Sequence, residues 1–493
     1  MTTLETAQTD KPLRRVAIDP VSRVEGHGKV TLLLDDDNRL HQVRLHIVEF
    51  RGFERFIQGR PIWELPVLVQ RLCGICPVSH HLAAAKAVDQ IIGVDRLTPP
   101  AEKLRRLMHY GQMLQSHALH FFHLASPDLL FGFDSEIARR NIVGVATEYP
   151  EIARQGVLLR KFGQEVIRHT AGKRIHGTGA IPGGMNKSLS VAERDELRSE
   201  IDQVVTWSEA AVALARQLFE QNQALHSRFG YHESGFLGQI RGDGALEFYH
   251  GGLRARDADG HTIFDHVDYR DYNDHIHEQV RSWTYMKFPY LRALGSEAGW
   301  YRVGPLARIN NCDFIDTERA EAARRDFVAI GNGRPIHAPL AYHWARMIEL
   351  LHSAETIAAL LDDEDLLSDD LVTRGERREE GVGVIEAPRG TLFHHYRVDE
   401  HDTVTMANLI VSTTSNNQAM NDAVRQVALD HLDGQELTEG LLNHLEVAIR
   451  AYDPCLSCAT HALGKMPLEV ELLDAEGQTL DRLQRDGSGA VTP

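Results

Sequence analysis

Long apolar runs are missing from this chain. Nothing approaches the roughly 18 uninterrupted apolar residues of a membrane span, and the stretch from Ala210 to Leu214 is soon broken by Arg216 and Gln217. A membrane-crossing helix is therefore not expected. A basic excess is missing as well, since 53 lysines and arginines face 70 aspartates and glutamates for a net charge of -17. A surface of that sign repels polyanions, which argues against nucleic acid as a partner. Cysteine is scarce: five in 493 residues are too few for a disulfide scaffold, and the odd number leaves at least one thiol unpaired. The apolar core of a signal peptide is also lacking, because the Arg14-Arg15 pair is followed by Asp19, Arg23 and Glu25; a cytoplasmic location is expected. Internal repeats and low-complexity segments are absent, which excludes collagen-like, coiled-coil and disordered architectures. What remains, 43% hydrophobic and 25% charged residues, is the composition of a soluble globular protein with one large core or roughly two to three domains.

Periodicity sets out the elements. Val30, Leu32 and Leu34 alternate, Asp35-Asp36-Asp37-Asn38 turns, and Val43, Leu45 and Ile47 resume the alternation, as in a hairpin. The acidic turn is no calcium loop, since Arg39 stands where a ligand is needed and the sixth-position glycine is missing. Apolar residues at Leu82, Ala85, Val88 and Ile92 predict a helix from Pro77 that stops at Gly93. Further helices are predicted over 102–130, 192–226, 339–361 and 418–450. The chain divides into a strand and hairpin segment (1–60), a helical core with the first cysteine pair (61–226), an α+β insertion rich in Gly, Asp, Tyr and His (227–340), a second helical core (341–461) and an appended hairpin (462–493). The fold class is α+β, mainly α.

The cysteines are arranged for a shared site. Cys73 and Cys76 form one C-x-x-C, Cys455 and Cys458 another, and Cys312 stands alone. The gap between the pairs far exceeds that of a zinc ribbon, so a common site lies where the two ends of the chain meet in the core. Each pair is expected to precede a helix: Pro77 opens one, and Asp453-Pro454 offers a capping side chain and a first-turn proline for the other. Helix N-termini lower thiol pKa values and help to hold thiolates beside a metal. Spacing alone fits a closed four-thiolate zinc site better than a redox-active metal and leaves both open. Cys312, with no thiol or histidine at ligand spacing, is expected to be an inert buried thiol. The stretch Gly177–Gly184 is a turn, because Pro182 occupies the third-glycine position of G-x-G-x-x-G and no Walker lysine pattern occurs.

The surroundings of the pairs are more specific. RLCGICPVSHH and DPCLSCATH, with RVEGHG, FRGFE and EAPRG, resemble in order from residue 18 to residue 461 the signature segments of nickel-iron hydrogenase large subunits. VEFRGFERFIQGR, SHALHFFHLASPDLLFG and DPCLSCATHALG are most similar to the cytoplasmic, NAD-linked bidirectional type. The resemblance implies that family's fold, a central bundle of long helices with small peripheral sheets, and reversible heterolytic cleavage of H2. It makes Cys73 and Cys455 terminal nickel ligands, and Cys76 and Cys458 bridges to an iron that carries carbonyl and cyanide. Soft thiolates suit nickel in a redox role. Taken singly, Glu25 reads as surface charge and His80 as a solvated residue of a first helical turn. By resemblance Glu25 takes a proton from the Cys455 sulfur, and His80 hydrogen-bonds a bridging thiolate. Arg389 hangs over the metal pair and contacts cyanide through its planar donors, with Asp453 holding it and Thr413 as a further cyanide contact. Glu54, His461 and a backbone carbonyl at Leu409 bind magnesium, with iron or zinc as alternatives.

One position departs from the family: Ser116 stands where an aspartate is frequent, so the canopy over the metals holds one carboxylate fewer and altered tuning is expected. With no dinucleotide loop and no cysteine set for an iron-sulfur cluster, electrons must leave through other chains. The resemblance supplies a diaphorase with FMN, iron-sulfur clusters and the NAD site, reached through a small iron-sulfur subunit. It also implies a precursor, served by a maturation chaperone and an endopeptidase that cuts between His461 and Ala462 and releases 462–493 as a propeptide. Two other readings use the same four thiolates: a hydrogen-sensing regulatory hydrogenase and a non-enzymatic zinc protein.

Overall fold

The computed structural model describes residues 13–281 and 283–460, and beyond them the backbone of strands 468–473, 479–485 and 491–492. Strands β1 (Arg14–Ile18), β2 (Gly28–Leu34) and β3 (Leu40–Ile47) form an antiparallel sheet in that order. Their alternation is the one read from the sequence, with Val30, Leu32, Leu34, Val43, Leu45 and Ile47 all buried. The acidic turn is an Asx turn, in which Asp35 Oδ1 accepts from the Asp37 and Arg39 amides at 3.0 and 2.9 Å.

The core is a bundle of long helices: α1 (Pro77–Ile91), α2 (Pro99–Leu119), α3 (Pro150–Ala171), α4 (Val191–Gln221) and α5 (Ala341–Leu361). Helix α2 packs on α3 and α5, and α4 packs on α5. Thr98 caps α2, and a Ser190–Glu193 capping box starts α4. After Leu119 the chain passes through a π turn (His120–Ala125) into the short helix Ser126–Phe131, so the helix predicted over 102–130 is continuous but changes its winding.

Between α4 and α5 lies a mixed segment with a four-stranded sheet: β4 (Gly235–Ile240), β5 (Gly252–Arg256), β6 (Thr262–Val267) and β7 (Tyr301–Arg302), ordered β7-β4-β5-β6 with β7 parallel to β4. After α5, strands β8 (Glu380–Ala387), β9 (Gly390–Val398) and β10 (Val404–Ile410) form an antiparallel meander whose first strand lies against α1. Glycine allows that approach: a Cβ on Gly383 would stand 1.9 Å from the Ala83 carbonyl oxygen. The single helix expected over 418–450 is two, α6 (Asn417–His431) and α7 (Glu439–Ala451), because Gly434 turns the chain with φ of 72°. The expected hairpin near the end is present as β11 (Leu468–Leu473) paired antiparallel with β12 (Thr479–Arg485). Among the described residues no helix is long and apolar enough to cross a membrane.

Candidate metal centre

The two cysteine pairs, from opposite ends of the chain, converge. Cys73 ends a 3-10 turn, Val69–Leu72, and Cys76 stands at the start of α1 before Pro77. Cys455 Sγ lies 3.2 Å from Cys73 Sγ and 2.6 Å from Cys458 Sγ, and Cys76 Sγ lies 3.7 Å from Cys458 Sγ. All four sulfurs fall within 4.8 Å of one another and all four residues are buried. The N-terminal segment fastens this closure, since the Leu456 amide donates to the Glu25 carbonyl at 2.9 Å and Glu25 pairs with Cys455 as a parallel bridge. Burial pushes the Cys455 and Cys458 thiols well above the ordinary range, while hydrogen bonds from Cys455, Cys458 and Cys73 draw Cys76 well below it. Four sulfurs this close and this dry cannot all ionise without a cation among them.

The second pair does not open a helix of any length. Only a three-residue 3-10 turn, Leu456–Cys458, follows Cys455. Asp453 does not cap it, because the residue adopts φ of 53° and turns to Arg389 instead. The Asp453 carbonyl accepts from Arg389 Nε at 2.6 Å and its carboxylate from Arg389 Nη2 at 3.0 Å. Arg389 Nη1 donates to Ser116 Oγ at 3.4 Å, so a hydroxyl steadies the third nitrogen of the fork. Burial opposes the charge of Arg389, but Asp453 and the thiols of Cys455, Cys76 and Cys73 outweigh it and raise the pKa well above normal.

Arg389 sits in the tight turn between β8 and β9, which a buried charge network supports. Arg308 bonds Glu349 through two donors at 2.6 Å each and Glu386 at 2.9 Å, and Glu349 also meets His117 Nε2 at 2.9 Å. Thr391 donates to Glu386 at 2.8 Å. Gly390, at φ of 133°, leaves no room for a side chain: a Cβ would lie 2.3 Å from Val303 Cγ2. Sequence reasoning missed this network. Its signal was Glu349 in the helix AYHWARMIELL, a carboxylate among apolar residues, where charge persists only if paired.

The remaining candidates gather around the quartet. Glu25 Oε2 accepts from Cys455 Sγ at 3.0 Å and from the Ser457 amide at 3.1 Å. It also borders a surface hollow lined by His27, Glu49 and Arg51. Thr413 Oγ1 accepts from the Cys455 amide at 3.0 Å. His80 and Cys76 line the same recess. It is small, lies beside Cys76, Cys455 and Cys458, and is walled by Ala387, Pro388, Leu392 and Val411 and edged by His80, Arg389, Ser412 and Thr413. Glu54 is buried and its Oε1 accepts from the Leu409 amide at 2.9 Å, which brings those two together. His461 and Ala462 lie outside the described residues. Cys312 takes no part in the quartet: its Sγ is 3.8 Å from the Ile309 carbonyl, and burial pushes its thiol up to about 12.

Residues 51–131 and 237–461 match the family model of nickel-dependent hydrogenases, and residues 15–50 a HoxL-like model. The chain is 49% identical to the NAD-reducing hydrogenase HoxS subunit beta of Cupriavidus necator, over 96% of this chain and 100% of that one. It is 40% identical to the vhc F420-non-reducing hydrogenase of Methanococcus voltae, over 95% of this chain and 99% of that one. A crystal structure of NAD+-reducing NiFe hydrogenase in the H2-reduced state superposes with a TM-score of 0.89 at 59% identity, covering 91% of this chain and 99% of that one. This chain belongs to the nickel-dependent hydrogenase family, as a catalytic nickel-iron subunit. Within the family it is similar to the corresponding subunits of NAD-reducing enzymes. The residues present fit a nickel-iron pair: four soft donors share one buried point, and an apolar recess with guanidinium and hydroxyl groups at its rim adjoins three of them.

Proposed function

We propose that this chain activates H2 reversibly in a cytoplasmic, NAD-linked hydrogenase. Cys73 and Cys455 would hold nickel terminally, and Cys76 and Cys458 would bridge it to an iron bearing carbonyl and cyanide. The supporting observation is one arrangement: four sulfurs within 4.8 Å, with the Glu25 carboxylate 3.0 Å from one of them and Arg389 beside the recess that three of them line. When bound, the metal pair supplies heterolytic cleavage of H2 and holds the electrons.

The side chains handle the proton and orient the ligands. The Cys455 sulfur receives the proton, and Glu25 Oε2, already at hydrogen-bond distance, takes it onward. The hollow with His27 and Glu49 on the far side of Glu25 gives that proton a polar exit. The Arg389 fork, fixed by Asp453 and Ser116, orients small anionic ligands in the cavity. Thr413 fixes the Cys455 backbone and faces the same cavity, in reach of a cyanide. The apolar walls exclude water, which strengthens these interactions. Glu54, the Leu409 backbone and His461 would hold magnesium and tie the last motif to the N-terminal half. Electrons leave through a small iron-sulfur subunit to a diaphorase carrying FMN, iron-sulfur clusters and the NAD site. Residues 462–493 are a propeptide, removed after His461 by an endopeptidase once a chaperone has delivered the metals.

The test is an infrared spectrum with metal analysis of chain matured in a host with hydrogenase assembly machinery and shown by mass to end at His461. Carbonyl and cyanide bands with equal nickel and iron are expected. One zinc per chain and no such bands would refute the reading.

A further inference from the structure

His80 is anchored by a second buried histidine. His80 Nδ1 lies 3.1 Å from His394 Nε2, and His394 Nδ1 lies 2.5 Å from the Tyr396 hydroxyl. The three residues are 1%, 0% and 0% exposed. His394 and Tyr396 are two apart on β9 and so face one side of the sheet. His395, between them, faces the other side and bonds Tyr272 and Glu380.

Such a chain has a direction. Two facing imidazole nitrogens bond only if one carries hydrogen and the other does not, and the far nitrogen of each ring decides which. A buried phenol must place its hydrogen on an acceptor, and among the described residues the Tyr396 hydroxyl meets His394 Nδ1 alone. The 2.5 Å contact therefore has the Tyr396 hydroxyl as donor and His394 Nδ1 as bare acceptor. Burial holds the Tyr396 phenol protonated, well above its ordinary pKa. His394 then carries its hydrogen on Nε2 and donates to His80 Nδ1, which leaves the His80 hydrogen on Nε2, and His80 borders the recess that Cys76 also lines. The neighbouring His81 has the opposite arrangement, with Nδ1 on the Pro66 carbonyl at 2.7 Å and Nε2 accepting the Ala180 amide at 3.0 Å. Adjacent histidines are thus set in opposite tautomers by their surroundings.

We infer that Tyr396 and His394 are positioning residues: a one-way hydrogen-bond chain fixes His80 as an Nε2–H donor to the Cys76 sulfur and so limits the electron density which that sulfur passes to iron. The second half of this inference rests on the reading of Cys76 as a bridging ligand. The first half concerns this chain alone.

The test compares wild type with Tyr396→Phe, His394→Leu and His394→Gln in the matured complex. Losing the donor to His80 frees density on sulfur, which reaches iron and weakens the carbonyl bond. The carbonyl band should move to lower wavenumber in His394→Leu and less far in Tyr396→Phe. Glutamine can present an N–H where His394 Nε2 stood, so His394→Gln should return the band towards its wild-type position. A full complement of metal with an unmoved band in His394→Leu overturns the inference. Histidine 15N shifts in the metal-free, full-length chain provide a second readout that needs no metal, with His80 assigned by its loss in His80→Gln. Hydrogen on Nε2 in wild type and a tautomer mixture in His394→Leu is expected; hydrogen on Nδ1 in wild type overturns the chain. Absence of carbonyl bands from wild type would sink the hydrogenase reading instead, and the 15N shifts would still decide the chain.

Discussion

Shortening Glu25 by one methylene separates a base from the sulfur it serves. Its Oε2 lies 3.0 Å from Cys455 Sγ, and one carbon–carbon bond spans about 1.5 Å. In Glu25→Asp the oxygen therefore withdraws to roughly 4.5 Å, beyond hydrogen-bond reach. Glu25→Gln is the complement, because reach is kept and basicity lost. The amide oxygen can still accept from the Ser457 N–H, now 3.1 Å from the carboxylate, so the loop between the cysteines keeps its anchor. A positioned base or acid contributes about 10²–10⁴ in rate. H2/D2 exchange by the matured complex should fall by that factor in Glu25→Gln. In Glu25→Asp it should fall toward the lower end, since a water can bridge the gap without loss of basicity. Nickel and iron content and the infrared bands should match wild type in both. Wild-type exchange by fully loaded Glu25→Gln would refute the role. Loss of exchange in step with loss of nickel would make Glu25 a strut for the loop instead of a relay.

Other measurements bear on the rest of the site. Arg389→Lys keeps the charge but replaces three donor contacts with one ammonium, so turnover should fall about 10²–10³-fold with the metals in place; near-normal turnover counts against the fork. Cys312→Ala should cost about 1–2 kcal/mol of stability in a denaturant titration and leave metal content and turnover untouched; loss of nickel would make that thiol a ligand after all. Burial lowers the pKa of His81 and His117 to about 4 and of His109 to about 3. The unfolded chain takes up these protons first as pH falls, so the stability they contribute is complete above about 6.5 and lost from there down towards 4 to 3. Urea midpoints measured from pH 7.5 to 4 should drop through that interval, and a flat profile would refute neutral burial.

Much of the centre could be read in the sequence because its ligands sit in short contiguous motifs. The cysteine quartet, Glu25, Arg389 and Thr413 lie together in the structure. Local pattern failed where a distant group competed for the same atom. Asp453 before a proline has the look of a cap, but Arg389, from a strand hairpin 64 residues earlier, takes both its carbonyl and its carboxylate. The helix predicted over 418–450 was read from apolar period alone, which is blind to the left-handed turn at Gly434. The His394–Tyr396 pair carried no signal, since two polar residues facing inward from a buried strand have meaning only beside the helix that brings His80.

The closure of the site across the whole chain also sets a timetable for its synthesis. Cys73 and Cys455 stand 382 residues apart, which at 5–20 residues per second is roughly 20–75 s of translation. Throughout that interval a nascent chain presents one cysteine pair and, from residue 312 on, the unpartnered Cys312, short of the four donors that hold zinc firmly. A stray zinc ion meets an incomplete and weak site, and the strong one exists only after the last motif has left the ribosome. Delay between the two halves thus guards the site against the wrong metal, and any rearrangement of the gene that moved the second pair close to the first would remove that protection while leaving every ligand in place.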